Sequence, residues 1–486
     1  MRPPLLFPGR RFVSTVAGRA LGYLLGALCR IHRSSSPYGE KSPFVAVFVG
    51  IVRETWSFVL RFLSMRKKRW AAGTGVLVVA ATAVVVQTWP SPDGSTGDSG
   101  ASRAQASNDT APPRISTDER SELQRALDEV VEEGSSGAVA ELVESNEAGR
   151  DRWNGVAGVS DRETNAPVDP GAHFRVASLS KTFVAAVALQ LVEEGEFALD
   201  DTVGELLPGV LDENEDATLR MLLSHTSGIF SYNSEMPEVL DSPHRSFAPE
   251  ELVEIANEEG PDFAPGSEVA YSNTNFVLVA MAIERATGNR YTDEVADRVI
   301  TPLGLDETSV PMSEEIPRPV MRAYVADEPE RGGSPAPRDI TEFDPTRWYG
   351  TAQVVSTVTD VNRFWEALLN GEVLGDATLE EMLTVVDTAS SGEGYALGVR
   401  RHTLSCDLDV WLHTGNIPGY RTWSVHAGRD RHLTMFQARY VDDPDPPAWD
   451  LVETGLCPSE APEEPAPTPT DRPGEPVEGA GRGHDG

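Results

Sequence analysis

Alternation of apolar and polar residues appears at two widely separated places in this 486-residue chain, and that separation constrains the fold more than any other feature. Early on, Gly137–Val143 and Trp153–Val159 alternate like strands joined by a turn around Glu147-Ala148-Gly149. Strand-like patterns return only late, at Ala396–Arg401, Val410–His413, Thr422–Val425 and Leu433–Gln437. Between them the spacing is helical, over Glu250–Asn257, Asn275–Ala286 and Tyr291–Val299, with Pro and Gly as punctuation. A further helix is expected over Glu119–Glu132, where Leu123, Leu127, Val130 and Val131 share a face. Early and late strands must share one sheet. The pattern therefore predicts an α+β domain over residues 118–457, an antiparallel β-sheet flanked by terminal helices with an inserted helical lobe.

Ser178-Leu179-Ser180-Lys181 sits where an extended segment (Ala172, Phe174, Val176) turns into an apolar helix from Thr182 to Val192. A serine hydroxyl is a weak nucleophile until a base takes its proton. A lysine three residues on lies one helical turn away on the same face, so its amine can meet that hydroxyl. The helix start adds unpaired N–H groups and partial positive charge where an oxyanion would form. The same four-residue pattern recurs at Ser64-Met65-Arg66-Lys67, beside an apolar span, and there it reads as chance.

Two downstream triplets set Ser178 apart: Tyr271-Ser272-Asn273 and His413-Thr414-Gly415. In this order the three elements resemble the serine β-lactamase and penicillin-binding-protein superfamily. The middle tyrosine points to its class C-like branch, and the motifs are most similar to D-alanyl-D-alanine carboxypeptidases. Leu222-Leu223-Ser224-His225-Thr226-Ser227-Gly228 and Pro265-Gly266 add to the resemblance, which runs from about Glu119 to Cys457. It implies a β-lactamase/transpeptidase-like fold with the site between lobe and sheet; no cofactor is expected, and no Cys/His/Asp/Glu spacing suggests a metal.

Residue roles follow from chemistry and position. Ser178 is the expected nucleophile and Lys181 its base, neutral when it acts. Tyr271 would relay a proton to the leaving group; standing alone it would read as a core tyrosine. Asn273 would hold the lysine with its carbonyl and a substrate amide with its NH2. His413 replaces the lysine of the lactamase pattern; protonated, it would attract a carboxylate. Thr414 would hydrogen-bond that carboxylate, and Gly415 would let substrate backbone approach the strand edge. The N–H of Asn416, with that of Ser178, would form the oxyanion hole. Arg400 and Arg401 could reach a terminal carboxylate or face solvent. His225 reads as structural, near a helix end capped by Gly228, and Asn275 likewise. His402, His426 and His432 show no ligand arrangement.

The formal net charge of −35 argues against nucleic acid as a partner. Charge is uneven: residues 1–70 are basic and most of the chain after Asp93 is acidic. From Trp70 to Trp89 no residue is charged, about the length that crosses a ~30 Å hydrocarbon core. Arg66-Lys67-Lys68-Arg69 precede this span and a tryptophan marks each end. The expectation is a single transmembrane helix at 70–89 holding the catalytic domain outside the cytoplasm. A cleaved signal peptide (Ala81-Thr82-Ala83) or a buried helix are the competing readings. Met65, directly before the basic cluster, would make a natural start, leaving 1–64 outside the working protein; 1–69 is a basic leader. Residues 90–117 read as flexible linker and 458–486 as an acidic disordered tail. Cys406, expected on the strand before His413, and Cys457, which ends an apolar segment, could bridge a C-terminal helix to the sheet, or remain buried thiols.

The expected protein is an extracytoplasmic serine hydrolase working through an acyl-enzyme, D-alanyl-D-alanine carboxypeptidase-like on cell-wall peptides. An esterase, a weak β-lactamase, or a penicillin-binding receptor with little turnover are the alternatives. Loss of Ser178, Lys181 or Tyr271 would have favoured the receptor; all three are present.

Overall fold

A computed structural model describes residues 115–146, 149–327, 336–388, 394–439 and 446–457. Helix α1 (Thr117–Glu132) starts where the Ser116 hydroxyl accepts the Glu119 N–H at 3.1 Å, with Asp118 and Glu119 in the turn that the helix dipole favours for acids. Strands β1 (Ser135–Asn146) and β2 (Gly149–Asp161) pair antiparallel along their length. The other strands of this sheet are β3 (Ala166–Pro167), β4 (Asp387–Thr388), β5 (Gly394–Tyr395), β6 (Arg400–Thr403), β7 (Asp409–Ile417), β8 (Tyr420–Ala427) and β9 (Arg431–Arg439). The sheet has nine strands in the order β3-β2-β1-β9-β8-β7-β6-β5-β4, every pairing antiparallel. As the alternation predicts, early and late strands meet at β1 and β9, with Val139 opposite Phe436 and Leu142 opposite Leu433.

Strand residues point alternately to the two faces, and both faces are covered. Ala138, Ala140 and Leu142 of β1 pack against Leu123 and Leu127 of α1. Leu451 and Val452, from the last described helix, join the same cluster, so helices from both ends of the domain share this face. On the other face, helix Val358–Leu369 packs on β1 and β9. It is joined to helix α2 (Ser180–Glu193) by the stacked rings of Phe364 and Phe183, 3.8 Å apart. Beyond α2 lies the inserted lobe, with helices α3 (Leu219–Leu223), α4 (Pro249–Glu259) and α5 (Asn273–Thr287). Helices α2 and α5 pack on each other and are apolar nearly all round, as central helices must be.

Two expectations need correction. Ala396–Arg401 is not one strand: β5 and β6 flank a turn where Gly398 has φ +76°. A Cβ on Gly398 would lie 2.4 Å from the Cβ of Ala185, and its N–H donates to Leu223 O at 2.9 Å. The chain dips there onto α2, which alternation cannot reveal. Cys406 lies in the turn between β6 and β7 rather than on a strand, and is disulfide-bonded to Cys457. Closing a loop with a sequence separation of 51 stabilises the fold by about 4 kcal/mol through the unfolded chain.

Among the described residues no helix is long and apolar enough to cross a membrane. The span 70–89, the leader before it, nearly all of the linker and the tail lie outside the described residues.

Candidate active site

Ser178 stands in a single 3-10 turn, Ala177–Leu179, which leads directly into α2. Ala177 adopts φ +52°, a left-handed conformation that costs a non-glycine residue on the order of 1 kcal/mol or more. Three bonds hold it there. Val176 N–H donates to Val354 O at 3.0 Å, Val354 N–H donates to Ser180 Oγ at 3.0 Å, and Ser180 Oγ donates to Ala177 O at 2.7 Å. The sharp turn leaves Ser178 half-buried at the wall of a cleft of about 840 Å³.

Lys181 follows one turn later and is wholly buried. Its Nζ lies 3.2 Å from Ser178 Oγ and donates to Thr351 O, also at 3.2 Å. Burial among apolar groups holds its pKa well below the ordinary lysine value. A neutral amine that gives one N–H to Thr351 keeps its lone pair for the serine proton. The chemistry needs that state, and burial favours it.

Tyr271 comes from the irregular stretch just before α5, and Lys181 Nζ lies 5.0 Å from its ring centroid. Tyr271 is 36% exposed and lines the cleft. Its hydroxyl is pushed above the usual phenol range by its enclosed setting, partly offset by hydrogen bonding with Ser178. Tyr271 is therefore a phenol at neutral pH, able to pass a proton on but not to start as an anion. Asn273 lines the same cleft but does something other than expected. Its Nδ2 donates to Asn233 Oδ1 at 2.6 Å, and the carbonyl that holds Lys181 belongs to Thr351.

On the opposite element, β7 carries His413, Thr414, Gly415 and Asn416. Thr414 and Asn416 line the cleft. Gly415 faces inward: a Cβ there would sit 2.3 Å from Val176 O and 3.2 Å from Ser178 N. Glycine thus admits the chain's own nucleophile turn, not substrate backbone, and brings β7 alongside the Ser178 amide.

His413 also differs from expectation. Its Nδ1 lies 2.7 Å from Thr414 O, which can only accept, so Nδ1 carries the proton and Nε2 is an acceptor. Burial, the largest cause, pushes its pKa down to about 3. His413 is neutral throughout the physiological range and cannot attract a carboxylate by charge; its free lone pair suits an N–H donor. Arg400 lines the cleft with its guanidinium 5.1 Å over the Tyr395 ring, whereas Arg401 is ion-paired with Asp409.

His225 is more than the quiet helix end that its sequence suggests. It, and not Gly228, takes the left-handed position after α3, at φ +60°. The bonds Thr226 N–H to Met221 O at 2.9 Å and His225 N–H to Leu222 O at 3.4 Å complete a Schellman closure. Gly228 has another reason to be glycine, since a Cβ there would be 2.0 Å from Phe263 O. Asn275 is buried within α5, where its Oδ1 accepts from Ser227 Oγ at 2.6 Å.

Thr351, Ser180, Asn233 and Tyr395 carry no sequence signal of a role here. Three of them act through bonds that bridge distant segments, and no local pattern marks such a partner.

The chain from 123 to 442 matches the family model described as Beta-lactamase. Penicillin-binding protein 4 of Amycolatopsis lactamdurans is 30% identical over 296 residues, covering 57% of this chain and 73% of that protein. A D-aminopeptidase of Brucella anthropi is 26% identical over 330 residues, 66% of this chain and 59% of that protein. Among solved structures, a D-stereospecific amidohydrolase from Streptomyces sp. superposes with a TM-score of 0.63 at 34% identity, covering 70% of this chain and 98% of that one. Fold, family model and relatives agree with the three elements that begin at Ser178: this chain belongs to the β-lactamase family of serine hydrolases.

Proposed function

We propose that the chain is an extracytoplasmic hydrolase of D-configured peptides, D-alanyl-D-alanine carboxypeptidase-like, that works through an acyl-enzyme on Ser178. The observation that carries this reading is the wholly buried Lys181 amine 3.2 Å from Ser178 Oγ, its pKa held well below the ordinary lysine value by that burial, on a cleft that Arg400 also lines. Lys181 takes the Ser178 proton as Oγ attacks the scissile carbonyl, and the N–H groups of Ser178 and Asn416 hold the oxyanion. Collapse expels the C-terminal amine, which gains its proton through Tyr271. Water then adds to the ester as Lys181 takes its proton, and the C–O bond to Ser178 breaks as Lys181 returns that proton to Oγ. Arg400 would bind the substrate carboxylate that neutral His413 cannot, while His413 Nε2 accepts a substrate N–H.

A second reading has support from Glu238, which lines the cleft and could hold a free α-ammonium group, as an aminopeptidase or amidase would require. The two separate on substrates. We expect kcat/KM to be highest for an N-acyl-D-Ala-D-Ala peptide and at least about 100-fold lower for its D-Ala-L-Ala isomer. Faster turnover of unacylated D-alanine amide would favour the second reading. A preference for short-chain esters or penicillin over every D-amide would sink both.

Placement outside the cytoplasm draws support from the Cys406–Cys457 disulfide, since such bonds persist in oxidising compartments. With Trp70–Trp89 as anchor, protease added to intact cells should release the acidic domain by cutting within 90–117. A domain that stays protected until lysis would refute that topology.

A further inference from the structure

Tyr271 has no regular structure of its own to hold it. Residues 264–272 form no helix or strand, and the tyrosine stands at their end, just before α5. A proton relay displaced by about 1 Å loses on the order of 100-fold in rate, so something must fix it. His225 touches the segment at three successive residues. Its main-chain O accepts the Ala270 N–H at 3.0 Å. Its imidazole lies against the Tyr271 ring, centroids 4.3 Å apart and planes at 32°. Its Nδ1 accepts the Ser272 N–H at 3.2 Å.

The side chain is locked in one state. Ser272 N–H can only donate, and Asn275 Nδ2 approaches the same Nδ1 at 3.5 Å, with Asn275 Oδ1 already accepting from Ser227. Nδ1 must then be bare and the proton must sit on Nε2. A ring held this way cannot collect a second proton at Nδ1 without facing two donors. Despite its place near Lys181, it is therefore not a general base.

Its position in the backbone argues that the side chain is needed. The residue after a helix in the left-handed conformation is usually glycine, because a Cβ costs about 1 kcal/mol or more there. The closure after α3 would form as well with glycine at 225. The ring edge also meets Tyr395, 5.2 Å away, which lines the same cleft.

We propose that His225 is a positioning residue that clamps Tyr271 against the Ser178–Lys181 pair through three contacts to residues 270–272. This rests on the proton-relay role given to Tyr271 above. The role predicts an effect that depends on the leaving group. An amide nitrogen must be protonated as it leaves; a nitrophenolate need not be.

The test is a double-mutant cycle of His225→Gly and Tyr271→Phe, read as the rate of Ser178 acylation. The amide arm uses fluorescent penicillin or the D-Ala-D-Ala peptide, whichever the unmodified enzyme takes faster; the other arm uses a p-nitrophenyl ester. Glycine suits φ +60°, so His225→Gly should melt within a few degrees of the parent. On the amide it should acylate about 100-fold more slowly, and on the ester less than about 5-fold. In the Tyr271→Phe background the same change should cost less than about 3-fold on either. His225→Asn tolerates a positive φ, keeps an acceptor for Ser272 and loses the ring, and should recover about tenfold of the amide loss. Should the glycine variant not fold, the asparagine variant carries the same comparison. Equal losses in both backgrounds, or equal losses on amide and ester, would overturn the clamp. If label persists on a Ser178→Ala protein, it is the site assignment that fails, whatever the cycle reports.

Discussion

Replacing Lys181 with Met should abolish turnover while making the folded protein more stable at pH 7. The two effects share a cause. Lys181 is fully buried, and burial holds its pKa well below the ordinary value, so the folded protein carries a neutral amine. The unfolded chain carries a charged one up to about pH 10.4. Between the folded and unfolded pKa values the unfolded state therefore binds one more proton. Stability then rises with pH by about 1.4 kcal/mol per unit in that window and is lost as pH falls from about 10.4 toward the folded value. Methionine fills the same space and has no proton to hold. It leaves the Thr351 carbonyl without its donor, a loss of about 1–3 kcal/mol that offsets part of the gain. The expected balance at pH 7 is a net gain in stability, read as a rise in Tm. That gain should shrink as pH approaches 10, because the parent recovers stability and the variant does not. Acylation should fall by about 10⁴-fold, the scale of a missing general base. Melting curves of both proteins from pH 6 to pH 10 check the sign. A variant that is less stable at pH 7, or a gap that widens with pH, would show that Lys181 is charged in the folded state and cannot serve as the base.

Much of this architecture is legible in the sequence because it is written in periods. A repeat of two marks β1, β2 and the late strands, and pairing β1 with β9 is the way to unite them in one sheet. A helical repeat of three to four places Lys181 over Ser178. The break at Gly398 is not legible, because what forces it is the Cβ of Ala185 on another element. Nor is the true partner of Lys181. Thr351 acts through its carbonyl, and any residue type supplies one. Gly415 does serve close approach, yet the approaching chain is the nucleophile turn itself. His413 misleads through its charge. Residue identity sets an imidazole near neutrality, but the 2.7 Å bond to Thr414 O and burial at the cleft wall keep it neutral, and burial is a property of the fold. His225 misleads in the opposite direction: a residue that reads as a helix terminus touches three consecutive residues of the segment bearing Tyr271.

The same contrast explains why the site is built around strain and burial. Ala177 and His225 both hold left-handed backbone without being glycine, and each adjoins or touches a group assigned to the chemistry, Ser178 in one case and Tyr271 in the other. Such conformations persist only where neighbours over-determine them. Here Ser180 and Val354 fix the first, and the Schellman bonds after α3 fix the second.

The central claim is that Ser178 is the residue acylated. It alone combines a lysine amine 3.2 Å from its Oγ, a left-handed turn that presents it to the cleft, and Tyr271 beside it. Nucleophile removal in a hydrolase that works as a unit lowers turnover by about 10⁶-fold, so Ser178→Ala should retain only background activity. The most direct measurement is labelling with a fluorescent penicillin or a phosphonate, followed by digestion and mapping of the modified peptide. The label should fall on the peptide containing Ser178 and be absent from Ser178→Ala protein that melts like the parent. Label that persists on the alanine protein, or maps to another serine, would contradict the account.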